Sequence, residues 1–177
     1  LVSEMPSGPG PIPESLIAEI AASVSPPTLT FLLTSKHDPA EIAEQQRRCA
    51  TTTIQIVDTL RPGSHRTLRQ LLPDVSLVQV IHVSGKESLD EALEVAPLVD
   101  ALLLDSGNQR LAVKELGGTG RTHDWSISAE IVEQAPVPVY LAGGLNSANV
   151  SAAIEEVQPL GVDVCSGVRT DGRLDDS

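Results

Sequence analysis

Apolar and polar positions along this chain fall into two alternating periods. Short runs of β-forming residues recur: "TLTFLLT" from about Leu29, "TIQIVD" from Thr53, "LVQVIHV" from Leu77 and "ALLLD" from Ala101. Their starts are about 24 residues apart, a spacing typical of βα units. Two more runs, "PVYLAG" from Pro138 and "GVDVCSG" from Gly161, keep nearly the same interval. Segments with helical period lie between them. "PAEIAEQQRRCA" follows Asp38 and "WSISAEIVEQA" follows Asp124, both aspartates being good N-caps. "SHRTLRQLL" begins at Ser64, "ESLDEALEVAPL" follows Lys86 and "SANVSAAIEEV" follows Asn146. Strands that alternate with amphipathic helices predict a parallel sheet.

One interval is long. Between Ala101 and Pro138 the stretch "SGNQRLAVKELGGTGRTHD" adds residues after a strand and before a helix. In a barrel this is the face that carries catalytic loops. An even βα period with one enlarged loop favours a (β/α)8 barrel over a doubly wound sheet, which reverses direction at a switch point. Six strands are clear and "LVSE" at the start is a seventh candidate. The expectation is α/β, a (β/α)8 TIM barrel without its first βα unit and last helix. Residues 1–177 read as a single phosphate-binding domain and a fragment of the full barrel. "MPSGPGPIPES" reads as loop, and "GGTG" at Gly117–Gly120 as a lid.

Composition narrows the chemistry. The chain has 177 residues, 41% hydrophobic and only 2% aromatic, enough for one core of aliphatic side chains. The formal charge of −12 and the lack of a basic cluster argue against nucleic acid or an anionic membrane as partner. No apolar run is long enough for a membrane span. Two cysteines, Cys49 and Cys165, form neither a disulfide framework nor a metal pattern, which points to a cytoplasmic protein. An anionic substrate would be repelled by the overall field, so its site must rely on local dipoles.

Strand ends supply those dipoles. "LAGGLN" ends one strand at Gly143 and Gly144, and "CSGVR" ends the next at Ser166 and Gly167. Glycine admits a ligand close to the backbone, and free N–H groups beside a helix start suit phosphate. Loops after the last two strands of a barrel are a common place for it. The alternative is a pair of turn or packing glycines. Asp105 closes "DALLLD", where a partly desolvated carboxylate can keep a proton and act as a general acid. Its alternative is a loop anchor. Asp163 lies inside a β-run, on the same side as Cys165, and needs a partner or a cavity. Cys165 reads as packing rather than nucleophile. His37, His65 and His123 lie in polar segments and read as solvated. His82, at a strand end, reads first as a satisfied structural histidine.

"LLLDSG", "GGTGRTHDW", "LAGGLNSANVSAAI" and "PLGVDVCSGV" resemble, in order and spacing, phosphoribosylanthranilate isomerase of tryptophan biosynthesis, most strongly over residues 100–168. The resemblance implies a TIM barrel and an Amadori rearrangement of N-(5'-phosphoribosyl)anthranilate, with no cofactor and no metal. It places the general acid on Asp105, the phosphate contacts on Gly143, Gly144, Ser166 and Gly167, and a substrate contact on Asp163. A phosphorylated small molecule is the implied partner; a monomer and a homodimer both fit. The departures are specific. The family's base is a cysteine in a "KICG" strand, which nothing here matches. Its "QLHG" histidine is Val57, the phenylalanine of "TFDW" is His123, and "MPSGPGPIPES" lacks the usual arginine. A related phosphosugar barrel and a non-catalytic phosphoribosyl-binding protein therefore stand as alternatives.

Overall fold

β-Branched and leucine runs pair side by side wherever the pattern predicts strands. The computed structural model describes residues 1–5, 10–106, 122–170 and 173–175. Six parallel strands are β1 (Phe31–Thr34), β2 (Thr53–Ile56), β3 (Ser76–His82), β4 (Ala101–Asp105), β5 (Val139–Leu141) and β6 (Gly161–Val162). They lie in chain order, β1-β2-β3-β4-β5-β6, with no reversal. That order decides for the barrel and against a doubly wound sheet, whose strands reverse about a switch point. The N-terminal "LVSE" also pairs: Val2 bridges Leu33 in parallel, and the Ser3 N–H donates to the Leu33 carbonyl at 3.2 Å. A short antiparallel pair, β7 (Arg169–Thr170) and β8 (Arg173–Leu174), follows β6.

The helices are α1 (Glu14–Ser23), α2 (Pro39–Cys49), α3 (Ser64–Leu71), α4 (Glu87–Val95), α5 (Trp125–Gln134) and α6 (Val150–Val157). Side-chain alternation gives the sheet two apolar faces. Ile54, Ile56, Leu77, Ile81, Leu102, Leu104 and Leu141 face the helices and form the larger core. Val57, Val78, Val80, Ala101, Leu103 and Ala142 form the inner face. Each fully buried Leu or Ile contributes about 1.5–3 kcal/mol of transfer free energy. Asp38 and Asp124 cap α2 and α5 as predicted: Asp38 accepts from the Ala40 and Glu41 N–H groups, Asp124 from that of Ser126.

Three readings need correction. The segment after Pro13 is not all loop, because α1 follows it. Its pattern was weak: Ile17 is buried, but Leu16 is 40% exposed. Polar bonds hold it instead, with Glu14 accepting from Gln45 at 3.0 Å and from Arg48 at 2.6 Å. His65 is buried rather than solvated. It donates from Nε2 to Gln79 Oε1 at 2.9 Å, while the Gln79 amide donates to the Ile56, Asp58 and Val80 carbonyls. His123 is half-buried, with Nε2 2.7 Å from Ser128 Oγ. His37 is half-exposed but pairs with buried Asp58 at 2.9 Å. The proposed lid, Gly117–Gly120, lies outside the described residues.

Candidate active site

Strand register brings the candidate residues to one level. His82 pairs with Asp105 across β3 and β4. Leu104 pairs with Leu141, and Leu141 with Val162, so the next residues, Asp105, Ala142 and Asp163, continue the same row. Backbone bonds carry the ladder onward: the Ala142 N–H donates to Leu104 at 2.7 Å and the Asp163 N–H to Leu141 at 2.8 Å. Ala142, a methyl between two carboxylates, leaves the space open. The result is a cavity of about 40 Å³ lined by Asp105, Gly143, Gly144, Asp163, Cys165 and Ser166 among others. Five of the six residues singled out in the sequence meet there. The sixth, Gly167, lies beside the cavity, in a parallel bridge with Asn146 that ties the two glycine-bearing ends together.

These glycines have steric reasons to be glycine. Gly143 and Gly144 adopt left-handed φ angles of 87° and 65°. A Cβ on Gly143 would stand 2.8 Å from the Ser106 backbone nitrogen, and one on Gly167 would overlap the Leu145 carbonyl. The packing alternative is therefore correct in part. It leaves donors unused, however. Among the described residues, the N–H groups of Gly143, Gly144 and Ser166 have no protein acceptor. The loop is stiffened from behind, with the Gly144 carbonyl accepting from Asn149 Nδ2 at 3.0 Å and the Asn146 N–H donating to Asn149 Oδ1 at 2.8 Å. This asparagine network also explains why α6 starts at Val150 rather than directly after Asn146.

Asp105 is 7% exposed, and its Oδ1 accepts from the Ser106 N–H at 2.7 Å. Asp163 lines the cavity and is exposed, so the protein around it removes only part of its water. That partial loss of water, with the Asp105 charge second, holds its carboxyl above the usual range. Burial lowers the His123 imidazole, opposed by Asp105 and then Asp124. His123 Nδ1 and Trp125 Nε1 are buried without a partner among the described residues. Sequence reasoning missed that His123 feels Asp105. The family motif held the signal, since a polar ring stands where phenylalanine is usual. Cys165 is half-buried and also lines a larger apolar cavity of about 660 Å³, between β6 and the N-terminal segment. Among the described residues no group of three or more His, Cys, Asp or Glu is placed to hold a metal. No helix among them is long and apolar enough to cross a membrane.

Residues 21–177 match the family N-(5'-phosphoribosyl)anthranilate (PRA) isomerase. The chain belongs to that family. A relative from Methanocella arvoryzae named N-(5'-phosphoribosyl)anthranilate isomerase is 35% identical over 90% of this chain and 73% of its own length. The isomerase structure from Pyrococcus furiosus superposes with a TM-score of 0.77 at 26% identity, covering 98% of this chain and 80% of that one. The phosphoribosyl anthranilate isomerase of Thermococcus kodakaraensis gives the same TM-score and coverage at 29% identity. The barrel reading and the isomerase family thus agree with the strand order seen here.

Proposed function

We propose that this PRA isomerase family chain carries out the Amadori rearrangement of N-(5'-phosphoribosyl)anthranilate in tryptophan biosynthesis. One observation carries the reading: a carboxyl group and a set of unused backbone N–H donors share one cavity at the C-terminal end of the sheet. In this reading the N–H groups of Gly143, Gly144 and Ser166, with the Gly167 turn beside them, hold the substrate phosphate. No Lys or Arg is needed, which suits a chain of net charge −12. Asp105 donates a proton to the ribose ring oxygen. The C1'–O bond breaks as the anilino nitrogen lone pair forms the C=N bond of an iminium. Loss of the C2' proton then gives an enolamine, which tautomerises to the 1-deoxyribulose 5-phosphate. Electrons move within the substrate, so no redox partner is required. Asp163 meets a sugar hydroxyl from the other side of Ala142. The family resemblance puts the C2' base on a cysteine that residues 1–177 do not contain. The two cysteines of this chain are unbonded, which supports placing it in the cytoplasm.

The test is rescue of a tryptophan auxotroph that lacks this isomerase, using the full chain. Growth without tryptophan is the expected result. A folded, soluble protein that fails to rescue would overturn the assignment. A second reading, a phosphosugar barrel with another acceptor, is favoured by Val57 at the family's histidine position and by the absence of a cation from Met5 to Ser15. Titration with ribose 5-phosphate and with the anthranilate-bearing product separates the two. Equal affinity would favour the second reading.

A further inference from the structure

Asn149 stands at the N-cap position of α6 and does not cap it. Its side chain makes no hydrogen bond to the first turn of that helix, although asparagine is among the best N-caps. The amide is turned back onto the glycine loop instead. Its Oδ1 accepts from the Asn146 N–H at 2.8 Å and its Nδ2 donates to the Gly144 carbonyl at 3.0 Å. Only this orientation of the amide serves both partners, because an N–H only donates and a carbonyl only accepts. Asn146 Nδ2 donates to the same carbonyl at 3.3 Å. Two side-chain amides therefore converge on one backbone oxygen.

That oxygen belongs to the peptide unit joining Gly144 to Leu145. The unit is trans, so its C=O and its N–H point in opposite directions. The C=O points to Asn149 and Asn146, which do not line the cavity between the two carboxylates, whereas Leu145 does. The Leu145 side chain is 2% exposed and packs in the larger core, so it is the backbone of Leu145 that meets the cavity. Its N–H has no acceptor among the described residues. The reverse orientation of this peptide would set a carbonyl dipole against an anion. Gly144, at a φ of 65° and without a Cβ, offers little steric resistance to such a flip. The two amides on its carbonyl oppose it.

We propose that Asn149 is a positioning residue for the phosphate grip: by holding the Gly144 carbonyl away from the cavity, it turns the Leu145 N–H toward the ligand phosphate as a further donor beside Gly143, Gly144 and Ser166. The inference rests on the reading of this cavity as the phosphate site and adds to it one contact and the side chain that sets it.

Titration of the ¹⁵N-labelled full chain with inorganic phosphate tests the contact without turnover. The amide protons of Gly143, Gly144, Ser166 and Leu145 should all move downfield as they donate to phosphate oxygens. Movement of the first three without Leu145 overturns the inference and leaves the phosphate reading standing. Movement of none overturns that reading. Two variants test the support. Asn149→Ala loses both bonds, and Asn149→Asp keeps the bond from Asn146 but cannot donate to Gly144. At saturating phosphate, Gly143 and Gly144 should still respond in each folded variant, and Leu145 should not. A wild-type response of Leu145 in either one overturns the role of Asn149. In Asn149→Ala, phosphate should also bind about ten- to a hundredfold more weakly, the range for losing a hydrogen bond to a charged group. KM should rise with kcat within about twofold, the mark of lost ground-state binding. A fall in kcat at unchanged KM, as from general damage to the fold, overturns the proposal. A wild type without isomerase turnover overturns the assigned reaction instead, and the phosphate titration still decides the roles of Leu145 and Asn149.

Discussion

Two carboxylates separated by one alanine are asked to do different work. Asp105 is nearly buried and anchored by Ser106. Asp105→Asn should lower turnover by about 10²–10⁴, the range of a general acid, while ribose 5-phosphate affinity stays within about twofold, since the grip lies on β5 and β6. Steady-state kinetics and calorimetric titration check both halves. Asp163 makes a stability prediction. Its carboxyl is held above the ordinary range by partial burial and by Asp105, so the native state binds this proton more readily than the unfolded chain. The associated stability is complete below the unfolded value of about 3.9 and is lost as pH rises through the folded one. Asp163→Asn removes that penalty. It should stabilise the protein at pH 7 by less than about 1 kcal/mol, after allowing for the water on its open side, and leave it nearly unchanged below pH ~3.5, where the unfolded carboxyl is also protonated. Thermal melts at the two pH values give the comparison.

At the scale of elements, caps and strand ends matter more than propensity. Asp38 satisfies two N–H groups of α2. Asp38→Ala should cost about 1 kcal/mol, a Tm fall of roughly 2–4 °C for a chain of this size. Gly143→Ala tests the strand end. It forces a side chain into a left-handed φ and against Ser106, so ribose 5-phosphate affinity should drop at least about tenfold, while the circular dichroism spectrum stays native. Five helices were legible from period and caps, and α1 was not. A helix that buries Ile17, exposes Leu16 and is docked by Glu14 has too little periodicity to stand out after a Gly/Pro-rich run. The buried histidine His65 was missed for a related reason. Its partner, Gln79, is 14 residues away on a strand, where local pattern carries no signal.

The whole molecule carries a charge of −12, and its proposed ligand is anionic too. Their mutual repulsion is long-ranged, whereas the backbone grip is short-ranged. Added salt screens the first and spares the second. Raising ionic strength from about 0.01 to 0.15 M, which shortens the screening length from about 30 to 8 Å, should therefore raise kcat/KM severalfold; stopped-flow association rates show whether the gain is in capture. A basic phosphate site would respond in the opposite sense. The sequence by itself determined the six parallel strands, their chain-order βα repeat and five residues of the cavity, because strand and helix periods are local and strand ends place residues at a common level. Only the tertiary structure decided register. That row sets His82 beside Asp105 and Asp163 one alanine away, joins Asn146 to Gly167, and strips water from one carboxyl. Each of these depends on contacts between separate strands, and alternation along one strand holds no record of its partner.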